Sequence, residues 1–347
     1  MEDQTPDTPE DSKAVNYQPT DQAPRGLEHS HGGYSHDGEA KTSNPKWMEK
    51  IPDQIKLSEL SVPGTHDTMA FYGGDAVQCQ SMSLENQLES GVRVLDIRCR
   101  HIADVFAIHH GLVFQKVFFG DVLNIAIDFL KKNPSEAVLM RVKEEYEPEK
   151  NTRTFAETFR DGYWNTYKQF CWEPNSDNPT LGEIRGKIVI LQNFSAAEKF
   201  GVSYGTFSIQ DEYHLTTNWD LYRKWEEVKA HFALANGGGK DIKYMNYLSG
   251  SGGSFPYFVA SGHSSPGTSA PRLLTGRTTP GWKNSWVDFP RVDCFIGICS
   301  IAFEGTNILS TNWFENDFKN HVGVVMSDFP GPALIEATIA RNNKFAL

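Results

Sequence analysis

The stretch Leu60-Ser61-Val62-Pro63-Gly64-Thr65-His66-Asp67-Thr68 joins the end of an apolar run to two side chains that are common in catalytic sites. Residues 56–62 alternate polar and apolar side chains, which predicts a half-buried strand, and Pro63-Gly64 predicts a turn at its end. His66 and Asp67 therefore follow the carboxyl end of a predicted strand, where α/β barrels carry their functional residues. Taken alone, the pair fits a structural hydrogen bond as well as a catalytic dyad.

Residues 92–100 predict a second strand with one charged face. Their period of two places Asp96, Arg98 and Arg100 on one side and apolar residues on the other. We interpret Asp96 and Arg100 as members of ion pairs inside a barrel, formed with each other or with Glu145, rather than as groups that act directly in catalysis.

Residues 105–111 predict a third strand, which ends in His109 and His110 before a glycine. Adjacent side chains on a strand point to opposite sides, so only one of the two imidazoles is expected to enter a shared site. The other is expected to support it, and we assign the structural role to His109.

Two histidines, an arginine and carboxylates are the groups needed to cleave a phosphodiester by attack of an internal hydroxyl. One imidazole removes the proton from the attacking hydroxyl, and the other returns a proton to the leaving alkoxide. The guanidinium neutralises the charge that develops on phosphorus oxygens in the transition state. Histidine suits both proton transfers at neutral pH.

Several segments, in a constant order, resemble the bacterial-type phosphatidylinositol-specific phospholipase C family, a group of phospholipase C-like phosphodiesterases with an X domain. The resemblance extends over nearly all of the chain after residue 45. The segments are SVPGTHDT at 61–68, VLDIRCR at 94–100, IHHG at 108–111, NPSEAVLMRVKEEYE at 133–147, RGKIVILQNF at 185–194, IQDEY at 209–213, YLSGSGGSFPYFVAS at 247–261 and VVMSDFPG at 324–331.

The resemblance implies a role for each of five catalytic residues. His66 matches the general base that deprotonates the inositol 2-hydroxyl, and Asp328 matches the carboxylate that orients it. His110 matches the general acid, with Asp67 as its partner, and Arg98 matches the arginine that binds the phosphate.

The resemblance also implies a set of residues that bind the inositol ring. Lys143 and Asp211 match ligands of the hydroxyls, and Tyr213 matches an aromatic side chain that stacks on the ring. Asn193 occupies a position where bacterial members have an arginine, so headgroup affinity and selectivity are open. Cys99 replaces a usual glycine on a face predicted to point away from the site.

Strand and helix patterns alternate along the chain, which predicts parallel strands with crossover helices. Together with the resemblance, this predicts an α/β fold, an irregular (β/α)8 TIM-type barrel, as a single catalytic domain over residues 46–347. Residues 1–45 are acidic and poor in large apolar side chains, so we expect a disordered tail. We further predict helices at 121–132, 152–167, 218–236 and 331–341, strands at 137–142, 187–191, 242–247 and 322–327, and a loop at 249–286.

Composition excludes several classes of protein. The formal net charge of −11 argues against a nucleic-acid partner and against electrostatic attachment to anionic lipid. We see neither a secretory signal nor a transmembrane segment, and we expect a cytoplasmic or peripheral membrane protein. The five scattered cysteines are expected to be buried, reduced thiols, with no metal site and no cofactor.

The predicted reaction converts phosphatidylinositol to diacylglycerol and inositol 1,2-cyclic phosphate without a metal ion. Two alternatives stay open: a related phosphodiesterase with another headgroup, and a catalytically inactive module that binds lipid headgroups. The phospholipid substrate would lie at a membrane surface, and we expect the enzyme to act as a monomer. Trp282 and Trp286 are candidates for insertion at that surface, with an ordinary core position as the alternative.

Overall fold

The structure, a computed structural model, describes residues 31–286, 288–316 and 321–345. The strands are β1 Val62–Thr65, β2 Val94–Ile102, β3 Val105–His110, β4 Val113–Phe118, β5 Val138–Glu144, β6 Ile188–Asn193, β7 Val202–Ser203, β8 Phe207–Gln210, β9 His214–Leu215, β10 Lys243–Tyr247, β11 Ser251–Gly252, β12 Leu274–Thr278, β13 Arg291–Phe295, β14 Ile298–Ala302 and β15 Val324–Ser327. The α-helices are α1 Leu84–Ser90, α2 Phe119–Lys132, α3 Phe155–Thr158, α4 Asn165–Tyr167, α5 Leu181–Ile184, α6 Leu221–Gly237, α7 Pro256–Ser261, α8 Thr306–Asn316 and α9 Pro332–Ala340.

Parallel strands form a curled sheet in the order β7-β6-β5-β2-β1-β15-β10-β8. Strands β3 and β4 add an antiparallel extension to β2. The predicted irregular TIM-type barrel is confirmed, and among the described residues no ladder closes it between β7 and β8. No helix in the described ranges is both long enough and apolar enough to span a bilayer.

The first barrel strand lies further along the chain than the alternating pattern predicts. Residues Leu57–Glu59 form a 3₁₀ turn, and the strand begins at Val62, so Pro63 and Gly64 belong to β1 and not to a turn. Glycine is favoured there because a Cβ on Gly64 would clash with the sulfur of Met326 on β15 and lie 3.2 Å from the carbonyl oxygen of Val94 on β2. In this strand Gly64 permits close packing between neighbouring strands.

The chain is packed against the barrel well before residue 46, so the predicted disorder is wrong for the end of the tail. Tyr34 is only 2% exposed and forms a bridge with Pro330, just after β15. The backbone N–H of Ser35 donates to the carbonyl of Phe329 at 3.1 Å. Ring contacts of Tyr34 and His36 with Phe329, together with backbone hydrogen bonds, hold this polar segment, and composition does not reveal them. Residues 1–30 lie outside the described residues.

The region predicted as a loop, residues 249–286, contains helix α7 and strand β12. Strand β12 pairs with β14, and β14 pairs with β13, to give a small antiparallel sheet. The Gly-, Ser- and Pro-rich composition hides these elements because the partners of β12 lie beyond the region. Cys294 and Cys299 are directly opposite each other in the β13–β14 hairpin and form a disulfide, so the expectation of reduced thiols is wrong for this pair. Cys79, Cys99 and Cys171 are free and buried, as predicted.

Helices cover the outside of the sheet and complete its core. Helix α2 buries an apolar stripe, including Val122, Ala126 and Leu130, in one cluster with side chains of β2, β3 and β5. Cys99 belongs to this cluster, so it faces the helix layer and not the barrel interior, as predicted. The predicted helix at 152–167 is present as α3 and α4, which a π-helical segment, Phe159–Trp164, connects.

Candidate active site

His66 and Asp328 lie next to each other because they follow neighbouring parallel strands in the same register. Thr65 of β1 is opposite Ser327 of β15, and the next residue on each chain is the functional one. The His66 backbone N–H donates to the Ser327 carbonyl at 3.0 Å, and the His66 Nδ1 lies 2.8 Å from Asp328 Oδ1. The buried amide of Gln80 donates to the carbonyls of both His66 and Ser327, which fixes the two loop starts together.

Opposing influences set the charge of His66. Burial by itself would lower the pKa of this imidazole, but the carboxylate of Asp328 outweighs burial and the nearby Arg98 guanidinium, and the pKa is raised. Since the carboxylate accepts the proton on Nδ1, the Nε2 atom carries the lone pair in the neutral form. Nε2 lies 2.7 Å from Nη2 of Arg98.

Arg98 is held by two carboxylates at the centre of the site. Its guanidinium lies 3.1 Å from Asp96 Oδ2 and 3.2 Å from Asp67 Oδ2. Burial would raise the pKa of Asp96, but Arg98 and Arg141 hold it far below its usual range, so this anchor stays ionised. Asp67 has a left-handed backbone, with φ of 43°, and its N–H donates to Asp96 Oδ2 at 3.1 Å. Such strain in a non-glycine residue is typical of functional sites.

His110 approaches Asp67 from β3. Its Nδ1 lies 3.5 Å from Asp67 Oδ2 and 2.8 Å from the carbonyl oxygen of Val77. A carbonyl can only accept, so Nδ1 carries a hydrogen and Nε2 is the atom able to deliver a proton. His109 points the other way, is 4% exposed and packs against Phe114, as the alternation of side chains predicts.

Strand register also places Lys143 and Asn193 beside Arg98. Arg98 of β2 is opposite Lys143 of β5, which in turn is opposite Asn193 of β6. The Lys143 ammonium lies 3.2 Å from Glu145 Oε2, and the other oxygen of Glu145 accepts from the backbone N–H of Gly111 at 3.0 Å. Glu145 thus links Lys143 to the turn that follows His110, rather than pairing with Asp96 or Arg100.

Arg141 is a residue of the site to which the sequence analysis assigns no role. Its guanidinium donates to Asp96 Oδ1, to Asn193 Oδ1 and to the Tyr247 hydroxyl, at distances of 2.9–3.1 Å. It also lies over the ring of Tyr204, 4.3 Å from the centroid. Its position two residues before Lys143, on the same strand face, was the available signal. A guanidinium therefore contacts the amide at the position where the resemblance leads us to expect an arginine.

The predicted ion pairs of Asp96 and Arg100 have other partners. Asp96 pairs with Arg98 and Arg141, whereas Arg100 pairs with Glu149, 3.2 Å away. Asp96 is 1% exposed and is therefore the buried anchor of two guanidinium groups. The prediction of an ion pair in the barrel interior was right for Asp96, and the predicted partners were wrong.

Comparison with known proteins identifies the family. Residues 54–194 match the family model described as phosphatidylinositol-specific phospholipase C, X domain. A 1-phosphatidylinositol phosphodiesterase of Staphylococcus aureus (strain Newman) is 33% identical over 291 residues, an alignment that covers 72% of this chain and 91% of that protein. This chain belongs to the phosphatidylinositol-specific phospholipase C X domain family.

Two further relatives agree with this assignment. The 1-phosphatidylinositol phosphodiesterase of Listeria monocytogenes serovar 1/2a is 37% identical over 191 residues, covering 49% of this chain and 58% of that protein. The solved structure of the phosphatidylinositol-specific phospholipase C from Listeria monocytogenes has a TM-score of 0.62 and 27% identity, covering 88% of this chain and all of that one (100%). The X domain match contains His66, Arg98 and His110, whereas Asp328 lies beyond it.

Two of the predicted ring ligands lie on the rim of this X domain barrel. Asp211 and Tyr213 follow β8, and both are exposed, Tyr213 by 58%. They share the carboxyl edge of the barrel with the cluster around Arg98, but β8 is three strands from β1 along the sheet. The structure brings His66, Asp67, Arg98, His110 and Asp328 into direct contact. Partial burial raises the pKa of the Asp211 carboxyl while the charge of His66 acts against this rise, so Asp211 faces the cluster and Tyr213 lies on the exposed rim.

Lys224 is a buried lysine that the sequence analysis does not identify. Lys224 of α6 is 1% exposed, and its ammonium donates to the Tyr247 carbonyl at 2.6 Å. Burial lowers the pKa of this amine to about 8. The signal was a lysine in the apolar stripe of α6, next to Leu221 and Trp225, both fully buried.

Cys79 lies between the two histidine–carboxylate pairs, and its sulfur is the atom there that a soft metal ion would prefer as a ligand. Its thiol and ligand atoms of His66 and Asp328 all lie within 4.8 Å of one another, as do those of Cys79, Asp67 and His110. Burial raises the pKa of the Cys79 thiol well above its usual value, so the thiol is protonated at neutral pH. Calcium prefers oxygen ligands, and the positive charge of Arg98 occupies the same region.

Proposed function

We propose that this chain is a phosphatidylinositol-specific phospholipase C that cleaves phosphatidylinositol to diacylglycerol and inositol 1,2-cyclic phosphate. One observation carries the proposal: two imidazoles, each beside its own carboxylate, are connected through a single guanidinium. Arg98 lies 2.7 Å from His66 Nε2 and 3.2 Å from Asp67, the carboxylate beside His110. A base, an acid and a phosphate-binding cation are thus within reach of one phosphodiester.

His66 acts as the base. Its Nε2 lone pair takes the proton of the inositol 2-hydroxyl, whose oxygen attacks phosphorus and closes the cyclic diester. Asp328 holds the Nδ1 proton and stabilises the imidazolium that forms, since its carboxylate is buried and 2.8 Å away. The raised pKa of His66 makes it a stronger base, provided that it is neutral at the working pH.

His110 acts as the acid. As the bond from phosphorus to the diacylglycerol oxygen breaks, Nε2 of His110 transfers its proton to that oxygen. The Asp67 carboxylate lies 3.5 Å from Nδ1 and helps to orient the imidazole. After cyclisation His66 carries an extra proton and His110 lacks one, so exchange with solvent at both imidazoles resets them. If water opens the cyclic product, His110 takes a proton from that water and His66 returns its proton to the leaving 2-oxygen.

Arg98 stabilises the charge on the nonbridging phosphate oxygens in the transition state. In the absence of substrate, its Nη2 contacts His66 Nε2, so the bound phosphate would replace this contact and free the lone pair of the base. Asp96 and Asp67 fix the plane of the guanidinium, which can then offer two N–H groups in parallel.

The identity of the headgroup is the part of the proposal that has an alternative. Asn193 is neutral and accepts a hydrogen bond from Arg141, so the inositol side of the site contains a different set of donors from the one the resemblance implies. A related phosphodiester with another polyol headgroup is therefore the second candidate. A module that only binds headgroups would not need both a base and an acid.

A turnover assay separates these functions. The enzyme, in excess EDTA, is mixed with dispersed phosphatidylinositol, phosphatidylcholine or phosphatidylglycerol, and phosphorus NMR follows the products. We expect inositol 1,2-cyclic phosphate from the first lipid alone, and none from His66→Ala. Turnover of another lipid in place of phosphatidylinositol would favour the second candidate, and binding without turnover would favour the inactive module.

A further inference from the structure

The β13–β14 hairpin ends in an unusual apolar tip. Ile296 is 84% exposed, the highest value for a large apolar side chain among the described residues, and Ile298 and Phe295 are 64% and 53% exposed. Directly behind them, the disulfide between Cys294 and Cys299 holds the two strands together. Three large apolar side chains are thus held in water at the end of a closed hairpin.

The backbone conformation of the turn at the tip is unfavourable for the isoleucine that occupies it. Phe295 pairs with Ile298, so the connection has two residues, Ile296 and Gly297, with φ of 47° and 77°. This two-residue turn with positive φ at both positions normally has asparagine or aspartate before the glycine. A β-branched residue is strained there. Isoleucine at position 296 therefore strains the turn and exposes apolar surface to water. This indicates that the side chain contacts another molecule.

The hairpin sheet is rooted at the same edge of the barrel as the catalytic residues. At the end of the sheet opposite the tip, Leu274 pairs with Ala302, and Thr306 follows four residues later in the chain. The Thr306 hydroxyl donates to the carbonyl of Leu248, the first residue after β10, at 2.9 Å. The carboxyl ends of the barrel strands also carry His66 and Asp328. Strands of five residues place the tip about 14 Å beyond its root.

The segment that carries the two predicted interfacial tryptophans follows β12 at the end of the sheet where the tip lies. Thr278, the last residue of β12, is opposite Cys299, and the next residues lead to Trp282 and Trp286. The two indoles stack with centroids 6.4 Å apart and are 50% and 37% exposed, so they are not core tryptophans.

Local charge distinguishes this region from the rest of the chain. The net charge of the whole chain is −11, but residues 274–302 carry a net charge of +1, from three cations, Arg277, Lys283 and Arg291, and two acidic residues, Asp288 and Asp293. Residues 294–302 contain no charged side chain. An exposed apolar tip on a sheet of positive net charge, with two exposed indoles in the segment that joins β12 to β13, matches the layers of a phospholipid surface, with hydrocarbon under phosphate. A protein partner would need some 20–30 residues per side, far more than a four-residue tip offers.

We propose that the hairpin tip Phe295–Ile298 inserts into a phospholipid bilayer, with Trp282 and Trp286 at the interface beside it. This rests on the proposed function only in taking a lipid surface as the place where the substrate lies. The tip holds the barrel edge near the headgroups by apolar contact, so attachment does not require anionic lipid and persists at high salt.

The decisive variant is Ile296→Asn, which gives the turn the asparagine that its backbone favours. We expect unchanged or increased thermal stability, together with a loss of roughly 10-fold or more in binding to phosphatidylcholine vesicles, measured by sedimentation at low and high salt. Ile242→Asn is the matched control, because Ile242 is 44% exposed but precedes β10 at the opposite edge. Phe295→Ser provides a second test at the tip.

The proposal is wrong if both tip variants bind vesicles as the unaltered chain does, or if the control loses as much binding as they do. Phosphatidylcholine vesicles contain no substrate, so this result does not depend on turnover. Absence of activity on dispersed phosphatidylinositol would instead count against the proposed function, even if the tip binds lipid.

Discussion

Asp328→Asn tests whether the carboxylate beside His66 sets the basicity of the proposed base. The side chain of Asp328 is 1% exposed and contacts Nδ1 at 2.8 Å, while its shape is retained by asparagine. Loss of a hydrogen bond to a charged group costs about 1.5–3 kcal/mol. Because Asp328 raises the pKa of His66, removing its charge should lower that pKa.

The direction of the change follows from the groups around His66. Burial and Arg98 both lower the pKa of the imidazole, and Asp328 is the main influence that raises it. Without this carboxylate, a lower pH is needed to protonate the base, so the acidic limb of kcat/KM moves to lower pH. On its plateau, kcat/KM should fall roughly 10- to 10³-fold, less than for His66→Ala, because the imidazole is still present but less basic and less well oriented.

The assay is kcat/KM as a function of pH on dispersed phosphatidylinositol, with melting temperatures to verify folding. Asp220→Asn is a suitable control, since the Asp220 carboxylate accepts from the Thr216 N–H at 2.6 Å and contacts neither histidine. An acidic limb that stays in place in Asp328→Asn would refute the reasoning, because another group would then control protonation. A shift to higher pH would contradict the sign derived from the structure.

Three other outcomes are expected. His66→Ala and His110→Ala should each lose roughly 10²–10⁴-fold in rate, and a substrate whose leaving group needs no proton should partly rescue only His110→Ala; equal rescue of both variants would show that the roles are assigned wrongly. Activity should persist in excess EDTA and fall roughly 10²-fold in Arg98→Lys, because an ammonium cannot offer two parallel N–H groups; restoration by added calcium would overturn the guanidinium mechanism. The sequence alone predicts that Asn193→Arg lowers the Michaelis constant, but Arg141 donates to Asn193 at 2.9 Å, so a second guanidinium there meets like charge. We therefore expect a higher Michaelis constant in Asn193→Arg and a lower one only in the double variant Arg141→Gln/Asn193→Arg; tighter binding in the single variant would show that Arg141 moves aside.

Much of the site could be read from local patterns. The period of two on β2 placed Arg98 on the polar face, and the alternation at His109 and His110 separated a structural imidazole from one in the site. These inferences succeeded because side-chain direction along a strand depends only on neighbouring residues. The order of the motifs along the chain was enough to indicate the barrel family.

Other features depended on contacts between segments that are far apart in the sequence. The alternating pattern before Val62 predicted a strand, but pairing with β15 and the space available at Gly64 placed β1 later. The partners of Asp96 were predicted wrongly because the choice between Arg100 and Arg141 depends on which strand lies next to β2. Tyr34 and Ser35 hold the end of the tail through contacts with Pro330 and Phe329, and composition alone does not reveal such contacts.

The sequence by itself thus determined which residues can do chemistry, on which strand face they lie and which family of barrels carries them. The tertiary structure decided which of them meet. His66 and Asp328 are 262 positions apart and touch because Thr65 and Ser327 share a register. Ile296 is exposed at a strained turn because two five-residue strands and a disulfide place it there. Propensity and periodicity are local properties, whereas register, partner choice and exposure arise only when distant segments pack together.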